Sequence, residues 1–437
     1  MKRIMQSACG GTRIPTILSS ACLLIWASAA QATPWPRFRG PNGQGISPDK
    51  NIPVKWTEKD YNWKIELPGT GHSSPVVWND RLFITCADRK TGRGLLLALA
   101  VSDGRVLWQE QFQVAKYRMN SLNEYAVATP ALGADRLYAL WPGAQQTLLI
   151  ARDHAGNEIW TRTFDGYHCQ HGAGTSPIVV DDIVVFTREH EGDDDAFKSL
   201  WTAVDTKTGQ TRWELPRDKS PKTSYSTPCV LPAAQGGPQL IFTSKAHGLT
   251  GVDPAAGRVI WEIASAFPNR VVSSPVIADG LLVGTCGDGG TGKRLIAVRP
   301  GSATEPAAAK EAYRIDNSTA PYVPTSVAAD GLLFTFHDRG DVSCLRSATG
   351  EALWREKPAG RYYGSPVWVD FRLYCITVDG NVVVIKAAPK YELLAVNPLG
   401  EKSHATPAVA DGRMYLRTYS HLISIGPGRG PENAPRP

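Results

Sequence analysis

The chain has 437 residues, 42% of them hydrophobic and 20% charged, with a formal net charge of +6. That balance belongs to a soluble globular protein. The 41 glycines and 32 prolines require many turns but fall short of low complexity. The charge is spread along the sequence, so it lacks the concentrated basic face that nucleic-acid binding needs.

In chain order, residues 1–32 come first. Lys2, Arg3 and Arg13 precede an apolar run over residues 17–30, and Ala30-Gln31-Ala32 is a small-x-small cleavage pattern. The run is short for a membrane span. A signal peptide cleaved after Ala32 is expected, and the alternative is a retained anchor. Cys22 lies inside the apolar run, which argues against lipidation. Removing Lys2, Arg3 and Arg13 leaves +3. Residues 33–55 form a leader, and the strand-like YNWKIEL around Trp63 follows it.

From there the sequence repeats. A Ser/Thr-Pro, an apolar pair, an Asp, Asn or Gly turn and a β-rich run recur at Pro75, Pro130, Pro177, Pro228, Pro275, Ser326, Pro366 and Pro407. Ser326 stands where a proline would be. Between these anchors lie segments such as AVDTKTGQTRW, ending at Trp213, with counterparts ending at Trp108, Trp160, Trp261 and Trp354. The chain finishes in GPGRGPENAPRP, whose composition reads as disordered over residues 426–437.

Eight units with a period of about 47 residues, each with short β-branched runs, predict an all-β, eight-bladed β-propeller over residues 56–425. Each blade is expected to be a four-stranded antiparallel sheet. Proline opens its first strand, where no ladder donor is required. Asp-x-x-Thr-Gly turns the third strand into the fourth, with side-chain oxygens holding the turn and Gly supplying a positive φ. The Trp of the fourth strand is expected to cross to the next blade and donate its indole N–H to a carbonyl. Packing within its own blade is the alternative. The eighth repeat runs out after three strands. The N-terminal strand around Trp63 is therefore expected to close the ring and leave no open edge. The cysteines at 86, 169, 229, 286, 344 and 375 fall about one per repeat in apolar runs and read as buried thiols.

The Ala-x-Asp-x-x-Thr-Gly-x-x-x-Trp pattern resembles the repeat of pyrroloquinoline-quinone-like (PQQ-like) propellers, the quinoprotein alcohol dehydrogenase-like superfamily. The resemblance covers nearly the whole chain after residue 32. That superfamily holds quinoprotein dehydrogenases and also non-enzymatic members, such as the propeller lipoprotein of the outer-membrane β-barrel assembly machine. WPRFRGPNGQGIS from Trp35 resembles the leader of exported propellers of this group. The resemblance implies that loops entering strand one and loops joining strands two and three gather at one mouth of the channel. The dehydrogenases hold the quinone with calcium on acidic and amide side chains, use a catalytic Asp, and in many cases carry a disulfide between adjacent cysteines. This sequence has no adjacent Cys pair, no acidic set before the anchors and none of the large insertions.

The residues before the eight anchors are His72, Tyr125, His171, Tyr225, Arg270, Tyr322, Tyr363 and His404. As a ring they would bind a planar or peptide ligand, or else fill the channel and bond to one another and to water. A metal is a separate expectation at His168, Cys169, His171, His190 and Asp193. There imidazole and thiolate suit zinc or copper, and the DDD run suits calcium. An ordinary solvated acidic loop is the alternative. No HExxH, GxSxG, Walker or CxxCH motif is present. The expected function is an exported, non-catalytic binding or scaffold propeller of the periplasm or cell envelope. It would be monomeric and without a cofactor, with an envelope protein or a small ligand as partner and no nucleic acid. The alternative is a PQQ- or metal-dependent oxidoreductase, with calcium beside the quinone.

Overall fold

The computed structural model describes residues 33–113, 116–117, 119–192, 198–232, 237–317 and 320–427. The signal peptide expected over residues 1–32, the tail from residue 428 and Asp193 lie outside them. Eight antiparallel sheets follow one another as blades over residues 76–113, 131–165, 178–217, 229–263, 276–315, 327–356, 367–398 and 408–425. Within a blade the strands neighbour each other in chain order, so every step is a hairpin. Asp279-Gly280, Asp330-Gly331 and Asp411-Gly412 each carry two positive φ angles at the tip of the first hairpin. Asp and Gly accept that turn geometry.

Blade 8 supplies three strands of its own. Its fourth is Tyr61–Glu66, which pairs antiparallel with His421–Ile425. The ring is thus joined by both ends of the described chain. Blade 7 gains a fifth strand on its inner edge, where Ile46–Ser47 runs parallel to Val367–Val369.

The turn before the outer strand behaves as its residue types require. In blade 3 the Asp205 carboxylate accepts from Lys207 N (2.9 Å), Thr208 N (2.8 Å) and Thr208 Oγ1 (3.0 Å). Gly209 follows at φ 69°. Outer-strand tryptophans cross to the next blade: Trp63 donates to Val101 O, Trp108 to His154 O, Trp160 to Thr206 O and Trp213 to Pro254 O, all at 2.9–3.1 Å. Trp213 lies on Gly257, where a Cβ would stand 2.5 Å from the ring. That spot admits only glycine, so the Gly of one blade and the Trp of the previous one form a single contact.

The core is divided to match. One apolar cluster joins Cys229, Ile241 and Trp261 of blade 4 to Leu282, Cys286 and Ile296 of blade 5. Trp201 of blade 3 stacks on Phe242 of blade 4 at 4.0 Å and 9°. Each interface between blades is a small core, which lets about 400 residues fold as one ring. The six cysteines are buried free thiols. No helix among the described residues is long and apolar enough to cross a membrane.

The leader threads the centre of the ring. Trp35, fully buried, exchanges two main-chain hydrogen bonds with Val77 of blade 1. Pro36 O accepts from Leu132 N of blade 2, and Asn42 pairs with the main chain of Val230 in blade 4. Gln44 Oε1 accepts from Ile277 N of blade 5, and Gly45 O from Trp368 N of blade 7. Two buried guanidiniums complete the plug. Arg37 donates to Pro228 O, and Arg39 to Thr325 O (2.7 Å) and Ser326 O (2.6 Å) of blade 6. Burial lowers their pKa values to about 10 and about 9, so both remain charged at neutral pH. The inner-strand carbonyls supply the acceptors that a buried cation demands.

Candidate functional site

The loops that open each blade converge on one cavity of about 650 Å³ at the channel mouth. Its floor begins with a girdle. The residue just before each anchor donates its main-chain N–H to the hydroxyl of the equivalent residue one blade on. The steps run Ser74 to Thr129, Thr129 to Ser176, Ser176 to Thr227, Thr227 to Ser274, Ser274 to Thr325, Thr325 to Ser365 and Ser365 to Thr406, at 2.9–3.2 Å. The eighth step would end on Ser74 Oγ, which has no hydrogen-bond partner among the described residues. Phe38 of the leader reaches the cavity from below. The mouth is therefore a cup with a sealed base.

Seven of the eight expected ring residues line this cup: His72, His171, Tyr225, Arg270, Tyr322, Tyr363 and His404. Tyr125 does not. The longer connection between blades 1 and 2 turns it into the wall, where it packs with Ala87, Ala126 and Trp141 and donates to Tyr117 O at 3.3 Å. Leu122, Asn120 and Asn123 of the same connection take its place at the mouth. Asn123 Nδ2 donates to His171 O (2.9 Å) and Ala173 O (3.0 Å), tying that connection to blade 3.

The cup has two unlike halves. On one side the rings of His72 and His404 lie 4.6 Å apart, with Tyr363 edge-on to His404 at 4.9 Å. His72 Nε2 and His404 Nδ1 both meet Leu122 O at 3.2 Å, so each ring carries its proton on that nitrogen. Burial is the main cause that drives their pKa values down, to about 3 and about 4. Both are neutral at pH 7. The other side holds charges in pairs. Lys222 Nζ bonds Asp288 at 2.6 Å. Arg270 bonds Glu191 at 2.9 Å and Gln170 Oε1 at 3.0 Å. Asp338 accepts from the N–H groups of Tyr322 (2.9 Å) and Val323 (3.1 Å), yet burial lifts its pKa to about 6.

The metal candidates are placed as follows. His168, Cys169 and His171 line a neighbouring cavity of about 460 Å³ together with Glu191. His190 Nδ1 accepts from the His168 N–H at 3.1 Å, and the two rings stand 6.1 Å apart. His171 turns its Nδ1 to Asn120 at 3.2 Å. Burial pushes the Cys169 thiol up to about 12 and keeps it protonated. Among the described residues no three His, Cys, Asp or Glu side chains converge to hold a metal.

Sequence reasoning missed the girdle hydroxyls, although a Ser or Thr precedes every anchor. It also missed Lys222, Asp288 and Asp338. Asp338 comes from the loop joining strands two and three of blade 6, and Asp288 ends the second strand of blade 5, where the lengths do not repeat.

Eight four-stranded blades around a capped central mouth define a propeller of the PQQ-like class. The model of the family described as outer membrane protein assembly factor BamB matches residues 118–323 and 302–418, and the chain belongs to that family. Among solved structures, BamB from Moraxella catarrhalis superposes with a TM-score of 0.57 at 13% identity, covering 83% of this chain and 95% of that one. A quinohemoprotein alcohol dehydrogenase from Comamonas testosteroni gives 0.61 at 14%, covering 93% and 82%. The computationally designed Ika8 protein gives 0.58 at 11%, covering 84% and 99%. Likeness at these identities is one of fold. No curated protein matches the chain.

Proposed function

We propose that the protein is an exported, non-catalytic binding propeller of the cell envelope that captures its ligand or partner at the central mouth. The observation that carries this reading is the cup itself. Loops from blades spread over the whole ring meet in one cavity of about 650 Å³, closed below by the leader and the girdle. A sealed, mixed polar and aromatic concavity is the form that recognition sites take. Membership of a family described as an assembly factor of the outer membrane supports the envelope setting and a partner-binding role.

The oxidoreductase alternative would need a quinone and its cation. The donor set of the cup suits that pair poorly. Asp288 is engaged by Lys222, and Asp338 by two main-chain N–H groups. The site and not the fold decides the chemistry.

The test changes Tyr363 and His404 together to Ala. Ligand or partner capture from the envelope fraction should be lost while the melting temperature stays near that of the parent. Undiminished capture by the double variant overturns the mouth as the binding site. Dye-linked alcohol or sugar oxidation on adding quinone and calcium overturns the non-catalytic reading.

A further inference from the structure

We propose that the mouth takes a neutral, hydroxyl-rich ligand: a short oligosaccharide or the end of a longer glycan. The proposal rests on the reading of the mouth as a binding site. Three features of the cup point to this class.

The first is charge. Each cation at the mouth already has its anion, Lys222 with Asp288 at 2.6 Å and Arg270 with Glu191 at 2.9 Å. A carboxylate or phosphate would have to displace a bonded partner and would gain no new pair, at the cost of its own desolvation. The neutral imidazoles of His72 and His404 add no positive charge. Asp338, held by two main-chain N–H groups, repels an anion further, so nothing among the described residues of the mouth favours an acidic ligand.

The second feature is the polar lining. Asn120 and Gln170 are planar amides fixed by neighbours, Asn120 by His171 and the Leu122 N–H and Gln170 by Arg270, and each keeps a further N–H and a further oxygen lone pair, whereas both N–H groups of Asn123 are taken by carbonyls. An amide offers a donor and an acceptor side by side. A pair of neighbouring ring hydroxyls presents the same combination, so the two match without a change of protonation.

The third is shape and surface. Tyr363, His404 and His72 form a continuous aromatic wall, and Leu122 O bonds both histidines, which brings the neighbouring Asn120 beside it. A sugar ring has an apolar face of C–H groups and a polar rim of hydroxyls. It can lay the face on an aromatic ring while the rim meets the amides. The volume of about 650 Å³ lies in the range of small-ligand pockets and exceeds what one sugar ring fills.

The test is calorimetric titration of the full chain. The neutral probes are trisaccharides of β-1,4-glucose, α-1,4-glucose, mannose and N-acetylglucosamine, set against trigalacturonate and an acidic peptide. At least one neutral trisaccharide should bind saturably. Its Kd should change less than about twofold between about 50 and about 500 mM salt, because no net charge is exchanged. Tyr363→Ala should weaken it at least tenfold, and Gln170→Ala should also weaken it, with both variants melting as the parent does. Co-sedimentation with the matching insoluble polysaccharide distinguishes a glycan end from a free oligosaccharide. Binding by none of the neutral probes overturns the proposal. Salt-sensitive binding of an acidic probe that Tyr363→Ala removes overturns the ligand class and leaves the mouth reading standing. Neutral binding that neither variant weakens overturns the mouth reading instead.

Discussion

At the scale of single residues, the mouth stores a pH dependence in its buried titratable groups. His72 and His404 donate to one carbonyl and lie close enough for two imidazolium charges to repel each other. An unfolded histidine titrates near 6.5, whereas His404 titrates at about 4 in the native state. Between those values the unfolded chain binds more protons, so stability from this group rises with pH and is complete above about 6.5. The shift corresponds to about 3 kcal/mol for His404. Asp338 acts in the opposite sense. Its native pKa of about 6 exceeds the unfolded value near 3.9, so its contribution is present at low pH and is lost as pH rises through 6. The two histidines outweigh it, and the melting temperature should climb from pH 4 to pH 7. His404→Asn should flatten that climb and Asp338→Asn should steepen it. Calorimetric melts of the three proteins across this range check the signs. An unchanged profile for His404→Asn would show that the imidazole is not held neutral by the fold.

At the scale of elements, the outer strand and the turn of the next blade act as one unit. Trp213→Ala should remove the indole seated on Gly257 and its bond to Pro254 O, at a cost of about 3–5 kcal/mol in chemical denaturation. A loss below about 1 kcal/mol would mean that the ring does not bridge the blades. The repeat was legible because every such interface poses the same problem, and most blades answer it with Asp, Gly and Trp. Where the sequence changes, so does the answer. Blade 5 lacks the Asp-x-x-Thr-Gly turn and has a short 3-10 helix at Pro306–Ala308 instead. Trp261 of blade 4 therefore donates to Gln239 Oε1 in its own blade at 2.7 Å, and Gln239 relays the contact to Gly301 O at 2.9 Å. The outer strand of blade 5 carries Tyr313, whose hydroxyl reaches Ser347 O at 2.8 Å. The glutamine relay has no signature in a repeat alignment, because it occurs once.

At the scale of the whole molecule, the ring was readable and its plug was not. Eight anchors at a near-constant spacing predict eight blades. The leader is a single copy whose partners are scattered from Val77 to Trp368, so no local pattern announces them. The mouth lay between these cases. Aligning the repeats places seven ring residues in one cavity, and Tyr125 departs because the connection before blade 2 is longer. Arg39→Ala tests the plug. It would leave the buried carbonyls of Thr325 and Ser326 without their donor and open a void among the inner strands. We expect a loss of about 3 kcal/mol or more, seen in denaturant melts. Stability equal to the parent would show that the leader only lies against the channel. The closure of blade 8 has a further consequence, which concerns time and not energy. Tyr61–Glu66 is synthesised long before its partner His421–Ile425. Until the final strand is released, the first has no partner. The growing chain thus carries an unpaired β-edge until that strand is made. A polypeptide cut short anywhere before residue 421 retains that open edge, and the unfinished ring needs shielding until the last strand arrives.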